Sequence, residues 1–284
     1  MPKIALVTGT SSGIGLSSAV GLARAGFTVI ATLRDVKKAG PLRERAAREG
    51  VTLDIRALDV SVPTSVDAVV SEILTRYGKV DVLVNNAGAG YLGSLEQTPL
   101  TEFERMMDVN FFGVVRTTKA LFPHMRAARS GRIITVSSVG GLLGQPFNDA
   151  YCAAKFAVEG LMESLVPMAR AFGVHLSLIE PGPVNTEFVN NVLEATGRQP
   201  AASNDPYAPM LKSYMSAVEA RYSSEAQTGD DIARIIVEAA TTDAPHFRYP
   251  TSDMVKTVAS YKYTDPTGNV VFKLSAAVSG EKSK

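Results

Sequence analysis

The sequence predicts an α/β fold, namely a doubly wound parallel sheet with helices on both faces. Short apolar runs rich in β-branched residues alternate with longer amphipathic stretches along most of the 284 residues, which is the order of βαβ units. The runs are apolar throughout, as in strands that are covered on both faces. The predicted strands are Lys3–Thr8, Phe27–Leu33, Thr52–Leu58, Val80–Val84, Arg132–Ser137 and Val174–Ile179.

The stretches between these strands have helical periodicity and carry helix boundary signals. Pro41 and Pro63 suit the first position of a helix, and Gly173 suits the position after a helix. Pro123 lies inside the longest helical stretch and predicts a bend there. The predicted helices are Gly13–Ala25, Pro41–Glu49, Pro63–Tyr77, Thr101–Arg129, Tyr151–Phe172 and Gly229–Ala240.

The length fits one large domain. We assign residues 1–250 to the sheet domain and residues 251–284 to a C-terminal extension. Within the domain lies a segment of about residues 185–228, of which Asn185–Tyr222 is richer in Asn, Pro, Ser and Met and has broken helical periodicity. This segment is predicted to form a small, mobile substrate cap over the strand ends.

Composition and charge exclude several classes of function. Lys plus Arg number 29 and Asp plus Glu number 28, so electrostatics gives no reason to expect nucleic acid or an anionic membrane as partner. One cysteine, Cys152, and three histidines predict neither an internal disulfide nor a metal site. No apolar run has the length of a membrane span, and the N-terminus lacks the layout of a signal peptide. We therefore expect a cytoplasmic protein.

A glycine-rich turn joins the first predicted strand to the first predicted helix. Gly9 permits a tight turn, Gly13 lets backbone amides approach a pyrophosphate, and Gly15 lets the helix pack closely on the strand. Anions are favoured at such a helix N-terminus. The turn therefore predicts a Rossmann-type dinucleotide site, with a purely structural β–α turn as the alternative.

The spacing of these glycines resembles the TGxxxGxG pattern of the short-chain dehydrogenase/reductase family. Further motifs of that family follow in order over roughly residues 3–250. They are Asn85-Asn86-Ala87-Gly88, Ser138, Tyr151-Cys152-Ala153-Ala154-Lys155 and Pro181-Gly182.

One branch of the family is most similar, that of the estrogenic 17β-hydroxysteroid dehydrogenases and photoreceptor-type retinol dehydrogenases. The similar segments are 31–35, 138–142, 146–149 and 172–180. This resemblance implies a large apolar alcohol or ketone as substrate and NADP(H) as cofactor. The steroid enzymes grip estrogen with a histidine in the cap, but no histidine lies between Asn185 and Tyr222. Selectivity for estrogen is therefore not expected.

Tyr151 and Lys155 are four residues apart on one predicted helix and share a face. A lysine cation beside a tyrosine favours the phenolate and lowers the tyrosine pKa. Tyr151 could then exchange a proton with an alcohol or ketone, while Ser138 hydrogen-bonds the substrate oxygen. The resemblance adds Asn110, which in the family bends its helix and holds a water on a proton path to the lysine. The alternative is that the Tyr–Lys pair is an ordinary surface feature.

The choice of cofactor is predicted at the end of the second strand. An NAD enzyme needs a carboxylate there, whereas this chain has Leu33 followed by Arg34, which could bind a 2′-phosphate. We therefore expect NADP rather than NAD, unless Asp35 points inward. Asp59 resembles an adenine-contacting aspartate of the family, with a helix or turn cap as the alternative. The complete predicted cofactor set is Gly9, Ser11, Ser12, Gly13, Ile14, Gly15, Arg34, Asp59, Val60, Asn86, Ala87, Gly88, Tyr151, Lys155, Pro181, Gly182, Val184 and Thr186.

Two other functions remain as alternatives to an NADP(H)-dependent enzyme with a large apolar substrate. One is a non-catalytic dinucleotide sensor, and the other is an NAD-dependent family member that acts on a small alcohol. A sugar-nucleotide epimerase is disfavoured, because it would need a larger C-terminal domain. The family pairs through helices that correspond to Thr101–Arg129 and Tyr151–Phe172, which implies a homodimer or homotetramer. The candidate pocket residues are Gly141, Leu142, Gln145, Phe147, Asn148, Phe188 and Met210.

Overall fold

The structure is a computed structural model that describes residues 2–196 and 205–278. In this part of the chain, seven strands form one parallel sheet in the order β3-β2-β1-β4-β5-β6-β9. A two-stranded ladder of Val184–Asn185 (β7) and Gln227–Thr228 (β8) lies apart from it. The large sheet consists of β1 Ile4–Thr8, β2 Thr28–Leu33, β3 Leu53–Ala57, β4 Val82–Asn85, β5 Gly131–Val136, β6 Val174–Glu180 and β9 Arg248–Pro250.

Helices cover both faces of the sheet, which confirms the predicted fold class. One face packs on α1 and α9 through residues such as Val20 and Ile236. The other packs on α3, α5 and α6 through residues such as Val66, Leu121 and Met162. The helices are α1 Gly13–Arg24, α2 Gly40–Arg48, α3 Pro63–Tyr77, α4 Leu100–Met107, α5 Gly113–Ala128, α6 Asp149–Ala171, α7 Phe188–Thr196, α8 Ala208–Glu225, α9 Gly229–Thr241, α10 Asp253–Thr264 and α11 Asn269–Val278.

The direction of chain winding reverses between β1 and β4. These strands are neighbours, while β2 and β3 continue on one side and β5 and β6 on the other. Ligands of open α/β sheets bind in the crevice at the carboxyl ends of the strands beside such a reversal. The loops after β1 and β4 are therefore the expected ligand-binding edge.

The longest predicted helix is interrupted, but not at the proline. A π-helical turn, Asp108–Phe112, separates α4 from α5, and Pro123 lies within the continuous α5. The Asn110 side-chain amide donates to the Met106 carbonyl at 3.0 Å. Insertion of a side chain into the hydrogen-bond ladder is a known cause of such irregularities.

The cap and the C-terminal region contain helices and a strand that the sequence analysis does not predict. The described part of the cap is two helices, α7 and α8, and residues 197–204 of the predicted cap lie outside the described residues. The short strand β9 was not predicted. The extension contains α10 and α11, which pack on Val139, Leu142 and Leu143, and its residues 279–284 also lie outside the described residues.

Candidate active site

The loop after β1 has a backbone that only glycine adopts readily. Gly9 has a φ of +72° and Gly13 a φ of +55°, both in the left-handed region. A Cβ atom placed on Gly15 would lie 2.2 Å from the Gly9 carbonyl oxygen. The side-chain amide of Asn86 donates to the carbonyls of Thr8 and Gly9, at 2.9 and 3.0 Å. The loop is therefore fixed by close backbone packing against the end of β4.

This loop leaves an anion-binding position at the N-terminus of α1. Ser12 is the N-cap residue, and its side chain makes no capping hydrogen bond to the described residues. Ser11, Ser12, Gly13 and Ile14 line the adjoining cavity. First-turn amides that have no partner within the helix favour a phosphate at this position. The loop thus fits the pyrophosphate of a dinucleotide.

Tyr151 and Lys155 lie on one face of α6, as their spacing predicted. The Lys155 ammonium is 5.7 Å from the centroid of the Tyr151 ring. It also donates a 2.9 Å hydrogen bond to the Val136 carbonyl, although Lys155 is only 6% exposed. Both side chains line the same cavity as the glycine loop. The ammonium is thereby held between β5 and the phenol.

Burial dominates the electrostatics of this pair. Desolvation raises the pKa of Tyr151 above its usual value, and a hydrogen bond with Ser138 opposes that rise. Desolvation lowers the pKa of Lys155 to about 8. In the protein alone, the expected lowering of the Tyr151 pKa by the neighbouring lysine is not found, because loss of hydration raises this pKa and the hydrogen bond with Ser138 opposes the rise only in part. The phenol is protonated at neutral pH.

Ser138 and Asn110 complete the predicted catalytic set around Tyr151. Ser138 follows β5, and its hydroxyl accepts a 3.0 Å hydrogen bond from the Gly140 amide. Asn110 is fully buried, and its side chain exchanges hydrogen bonds with the backbone of Ala89 at 3.0 and 3.1 Å. Asn110 therefore holds the loop after β4 against the π-helical turn, while Ser138 lies within hydrogen-bonding distance of the Tyr151 phenol.

Gly88 lets these groups converge. A Cβ atom placed on Gly88 would lie 3.0 Å from the Asn110 amide oxygen and 4.0 Å from the Lys155 ammonium. All of the predicted catalytic residues, namely Asn110, Ser138, Tyr151 and Lys155, line one cavity of about 780 Å³. The cavity extends from the glycine loop to the cap.

The end of the cavity where the sequence predicts the adenosine contains Arg34 and Asp59. Arg34 lines the cavity, whereas the Asp35 carboxylate accepts a 3.0 Å hydrogen bond from the Lys37 amide and caps its own turn. The Asp59 carboxylate accepts hydrogen bonds from the amide and hydroxyl of Ser61, at 2.9 and 2.6 Å. Asp59 thus stabilises a turn and also lines the cavity.

The segment after β6 closes the cavity opposite the catalytic residues. A Cβ atom placed on Gly13 would lie 3.0 Å from the Thr186 Cβ and Cγ2 atoms, so this segment reaches the glycine loop. The Thr186 hydroxyl accepts a 3.3 Å hydrogen bond from the Phe188 amide. The predicted cofactor residues that line the cavity here are Pro181, Gly182, Val184 and Thr186, and those on the opposite side are Val60, Asn86, Ala87 and Gly88.

The predicted substrate residues divide into two groups. Gln145, Asn148 and Phe188 line the cavity, and the Phe188 ring lies 5.8 Å from the Tyr151 ring, centroid to centroid. The structure places the remaining four elsewhere. Leu142 is buried against the extension, Phe147 packs on Tyr214, Gly141 lies against Ser137 and Glu159, and Met210 is 46% exposed on α8.

Sequence reasoning missed most of the residues that line the cap end of the cavity. They lie on α7, α8, α10 and α11. On α8 they recur with helical spacing, and this periodicity was the available signal. The missed residues on these helices are Val189, Asn191, Val192, Tyr214, Val218, Arg221, Tyr222, Met254, Thr257, Val258 and Leu274, and a further one, Leu92, lies in the loop after β4.

A buried charge cluster, also missed, lies behind Lys155. The Arg248 guanidinium donates to the carboxylates of Glu159 and Glu180, to the latter at 2.6 Å. Glu180 is fully buried, and burial together with repulsion from Glu159 raises its pKa to about 7. Glu159 lies one turn along α6 from Lys155, so this cluster joins the catalytic helix to β6 and β9.

Comparison with known proteins identifies the family. The sequence profile of the short chain dehydrogenase family matches residues 3–197. This protein belongs to the short-chain dehydrogenase family. As a short-chain dehydrogenase it is an alcohol oxidoreductase that uses a nicotinamide dinucleotide, which agrees with the glycine loop and the Tyr–Lys pair.

Two relatives of this short-chain dehydrogenase match nearly its whole length. It is 41% identical to retinol dehydrogenase 8 of Bos taurus over 281 residues, 96% of this chain and 89% of the relative. It is 40% identical to 17-beta-hydroxysteroid dehydrogenase type 1 of Homo sapiens over 285 residues, 98% of this chain and 86% of the relative. The predicted resemblance to this branch is confirmed.

Solved structures of the family contain either nicotinamide cofactor. A metagenomic short-chain oxidoreductase in complex with NADP is 29% identical, with a TM-score of 0.69 over 87% of this chain and 95% of that one. A short-chain dehydrogenase/reductase from Burkholderia phymatum in complex with NAD is 25% identical, with a TM-score of 0.78 over 93% and 94%. In the described residues of this protein, no helix is both long enough and apolar enough to cross a membrane.

Proposed function

We propose that this enzyme transfers a hydride between NADP(H) and a hydrophobic secondary alcohol or ketone of steroid-like or retinoid-like size. The observation that carries the proposal is that Ser138, Tyr151 and Lys155 meet in a cavity that begins at the glycine loop and ends at an apolar cap. When bound, the nicotinamide supplies or accepts the hydride. The retinol and hydroxysteroid dehydrogenases among the relatives support a large apolar substrate.

In this proposal Tyr151 is the residue that donates or accepts the proton. Because burial raises its pKa, the phenol is protonated at neutral pH and can donate its proton to the oxygen of a ketone that is being reduced. Ser138 hydrogen-bonds Tyr151 and would also position the substrate oxygen. The Lys155 ammonium, held by the Val136 carbonyl, would stabilise the phenolate that remains. In alcohol oxidation the same groups act in reverse.

A preference for NADP is supported by the end of β2. Arg34 lines the cavity, while the Asp35 carboxylate is engaged by the Lys37 amide within its own turn. A guanidinium can make paired, charge-assisted hydrogen bonds to a 2′-phosphate. A carboxylate in position to bind a ribose hydroxyl, which an NAD enzyme needs, is replaced by Leu33.

The test is NADPH oxidation against a panel of steroid, retinoid and aromatic ketones, with Tyr151→Phe as the variant. We expect turnover to fall by about 10²–10⁴-fold or more, while NADPH binding, measured by fluorescence, is retained. Tyr261→Phe, at a tyrosine that is 42% exposed on α10, should leave turnover unchanged. Undiminished turnover of Tyr151→Phe would refute the mechanism. NADPH binding without turnover of any ketone would instead favour a dinucleotide sensor.

We also propose that the protein forms a homodimer or homotetramer through the helical region 100–128 and α6. Exposed apolar side chains on these elements support the proposal, since Phe112 is 46% and Met168 58% exposed. Analytical ultracentrifugation should give a dimer or tetramer at micromolar concentration. A monomer under those conditions would contradict it.

A further inference from the structure

We propose that the substrate carries an anionic group of the carboxylate class, which Arg221 binds while the reacting oxygen faces Tyr151. This inference rests on the proposed function and specifies the substrate of the same site. The observation behind it is a cation on the cavity face of α8 that has no acidic partner among the described residues.

Arg221 belongs to the face of α8 that lines the cavity. The lining residues of this helix are Tyr214, Met215, Val218, Arg221 and Tyr222, a spacing that places them on one side of a helix. Arg221 is partly buried. It is the one charged residue on this otherwise apolar and aromatic face.

Three cations that line the cavity or lie beside it have partners, and Arg34, which also forms no ion pair with the described residues, is exposed at the opposite end of the cavity. Arg105 pairs with Glu102 at 2.7 Å, and Arg116 pairs with Asp108 at 2.5 Å. Lys155 donates to the Val136 carbonyl. In contrast, Arg221 forms no ion pair and donates no hydrogen bond to any of residues 2–196 and 205–278.

A guanidinium that lies on an apolar cavity wall without an acidic partner keeps its donors available to an anion that enters the cavity. The functional explanation is that a ligand supplies the missing anion. A carboxylate fits, since it accepts two parallel hydrogen bonds from a guanidinium. Met215, Val218 and Phe188, which also line the cavity, would contact the apolar body of the same molecule.

The neighbours of Arg221 place this cation at the substrate end of the cavity. Tyr222 hydrogen-bonds the backbone of Val184, and Tyr214 is bonded to the Asn148 side chain at 2.6 Å. Arg221 lies between these two tyrosines along α8, in the cap that faces Tyr151. Arg34 and the N-terminus of α1 stand at the other end, where the phosphates of the cofactor would bind.

The experiment compares keto acids with their uncharged methyl esters, using aromatic and long-chain ketones and NADPH consumption. We expect the unmodified enzyme to prefer the acid, and Arg221→Met to raise KM for the acid by about 10- to 100-fold while KM for the ester changes little. Lys212→Met, at an exposed residue of the same helix, is the control and should keep the preference for the acid.

Three results would overturn the inference. Equal kcat/KM for acid and ester in the unmodified enzyme would show that charge is not recognised. Weaker NADPH binding by Arg221→Met, measured by fluorescence without ketone, would assign Arg221 to the cofactor. Both results would leave the proposed function intact. Absence of turnover with every ketone, charged or neutral, would overturn the proposed function and this inference with it.

Discussion

The two ends of the cavity are built in different ways. The end that we assign to the cofactor is shaped mainly by backbone, namely the glycine loop after β1 and the loop after β4, which the Asn86 side chain joins by hydrogen bonds to the Thr8 and Gly9 carbonyls. The cap end consists of side chains on α7, α8, α10 and α11. At the first end, close backbone packing limits which amino acids can occupy each position. At the cap end, side chains can be substituted without changing the backbone fold. We therefore expect residues at the first end to define the reaction and residues at the second end to select the substrate.

The largest effect on NADPH affinity is expected where the backbone atoms are most closely packed. In Gly15→Ala the new methyl group would lie 2.2 Å from the Gly9 carbonyl oxygen and 2.3 Å from the Asn86 amide nitrogen, and backbone cannot yield as a flexible side chain can. We expect NADPH affinity, measured by fluorescence titration, to fall by about 100-fold or more.

The matched control is Gly160→Ala on α6. Apart from the adjoining backbone of α6 itself, no atom of the described residues lies within 4 Å of a Cβ placed there, and alanine at a helical position stabilises by about 1 kcal/mol relative to glycine. This variant should bind NADPH normally and unfold at higher urea concentration. Normal NADPH binding by Gly15→Ala would mean that the loop tolerates a side chain, and the contrast between the two ends would lose its basis.

The difference between the two ends also explains which site residues could be predicted from the sequence. The glycines, Ser138, Tyr151 and Lys155 are recognisable because each follows from a local requirement, such as a positive φ, a strand end or a helical spacing of four. The sequence analysis also places Leu142 and Phe147 in the candidate pocket, but no such local requirement applies to them. In the structure they face inward, against the extension and Tyr214. Their direction depends on elements distant in sequence, which no local pattern specifies.

The same limit applies to the charge cluster behind Lys155. Glu159, Glu180 and Arg248 come from α6, β6 and β9, and β9 is only three residues long. Each residue resembles an ordinary charged residue in the sequence. Only the pairing of β6 with β9 brings the arginine to the two carboxylates.

The second prediction concerns the relative affinity for NADPH and NADH, and it again tests the cofactor end. Arg34→Ala removes the cation that we assign to the 2′-phosphate, and charge-assisted hydrogen bonds of this kind contribute about 2 kcal/mol. We expect the Kd for NADPH to rise about 30-fold and the Kd for NADH to stay unchanged. Lys38→Ala, an exposed neighbour outside the cavity lining, should alter neither Kd. An equal loss for both cofactors would contradict a role at the 2′-phosphate.

The charge cluster, which lies beneath the junction of the two ends, gives a prediction about pH. Glu180 has a pKa of about 7, raised from 4.5 by burial and by Glu159. The folded protein therefore binds an extra proton between these pH values, and its stability falls as pH rises through this window. Glu180→Gln mimics the protonated carboxyl, so it should lose this part of the slope. The free energy of unfolding of this variant, measured relative to that of the unmodified protein, should be about 2 kcal/mol larger at pH 8 than at pH 5.

Urea unfolding at both pH values measures this gain. Glu163→Gln is the control, because Glu163 contacts the same Arg248 but is exposed, with 67% of its side chain accessible. That variant should keep the slope of the unmodified protein. If Glu180→Gln also keeps the full slope, Glu180 is ionised throughout the range, and attraction to Arg248 outweighs burial.

The smallest effect is expected where the cap end can adjust. Leu274 of α11 lines the cavity, and Leu274→Ala removes apolar contact with the substrate without touching the cofactor loops. Partial loss of a buried leucine side chain costs about 1 kcal/mol, so KM for a hydrophobic ketone should rise about fivefold with no change in NADPH affinity. Val270→Ala on the same helix, at a residue that is 37% exposed, should leave KM unchanged. Weaker NADPH binding by Leu274→Ala would mean that the C-terminal extension also stabilises the cofactor end. Substitutions at the cap end would then alter cofactor affinity, and the two ends would not be independent.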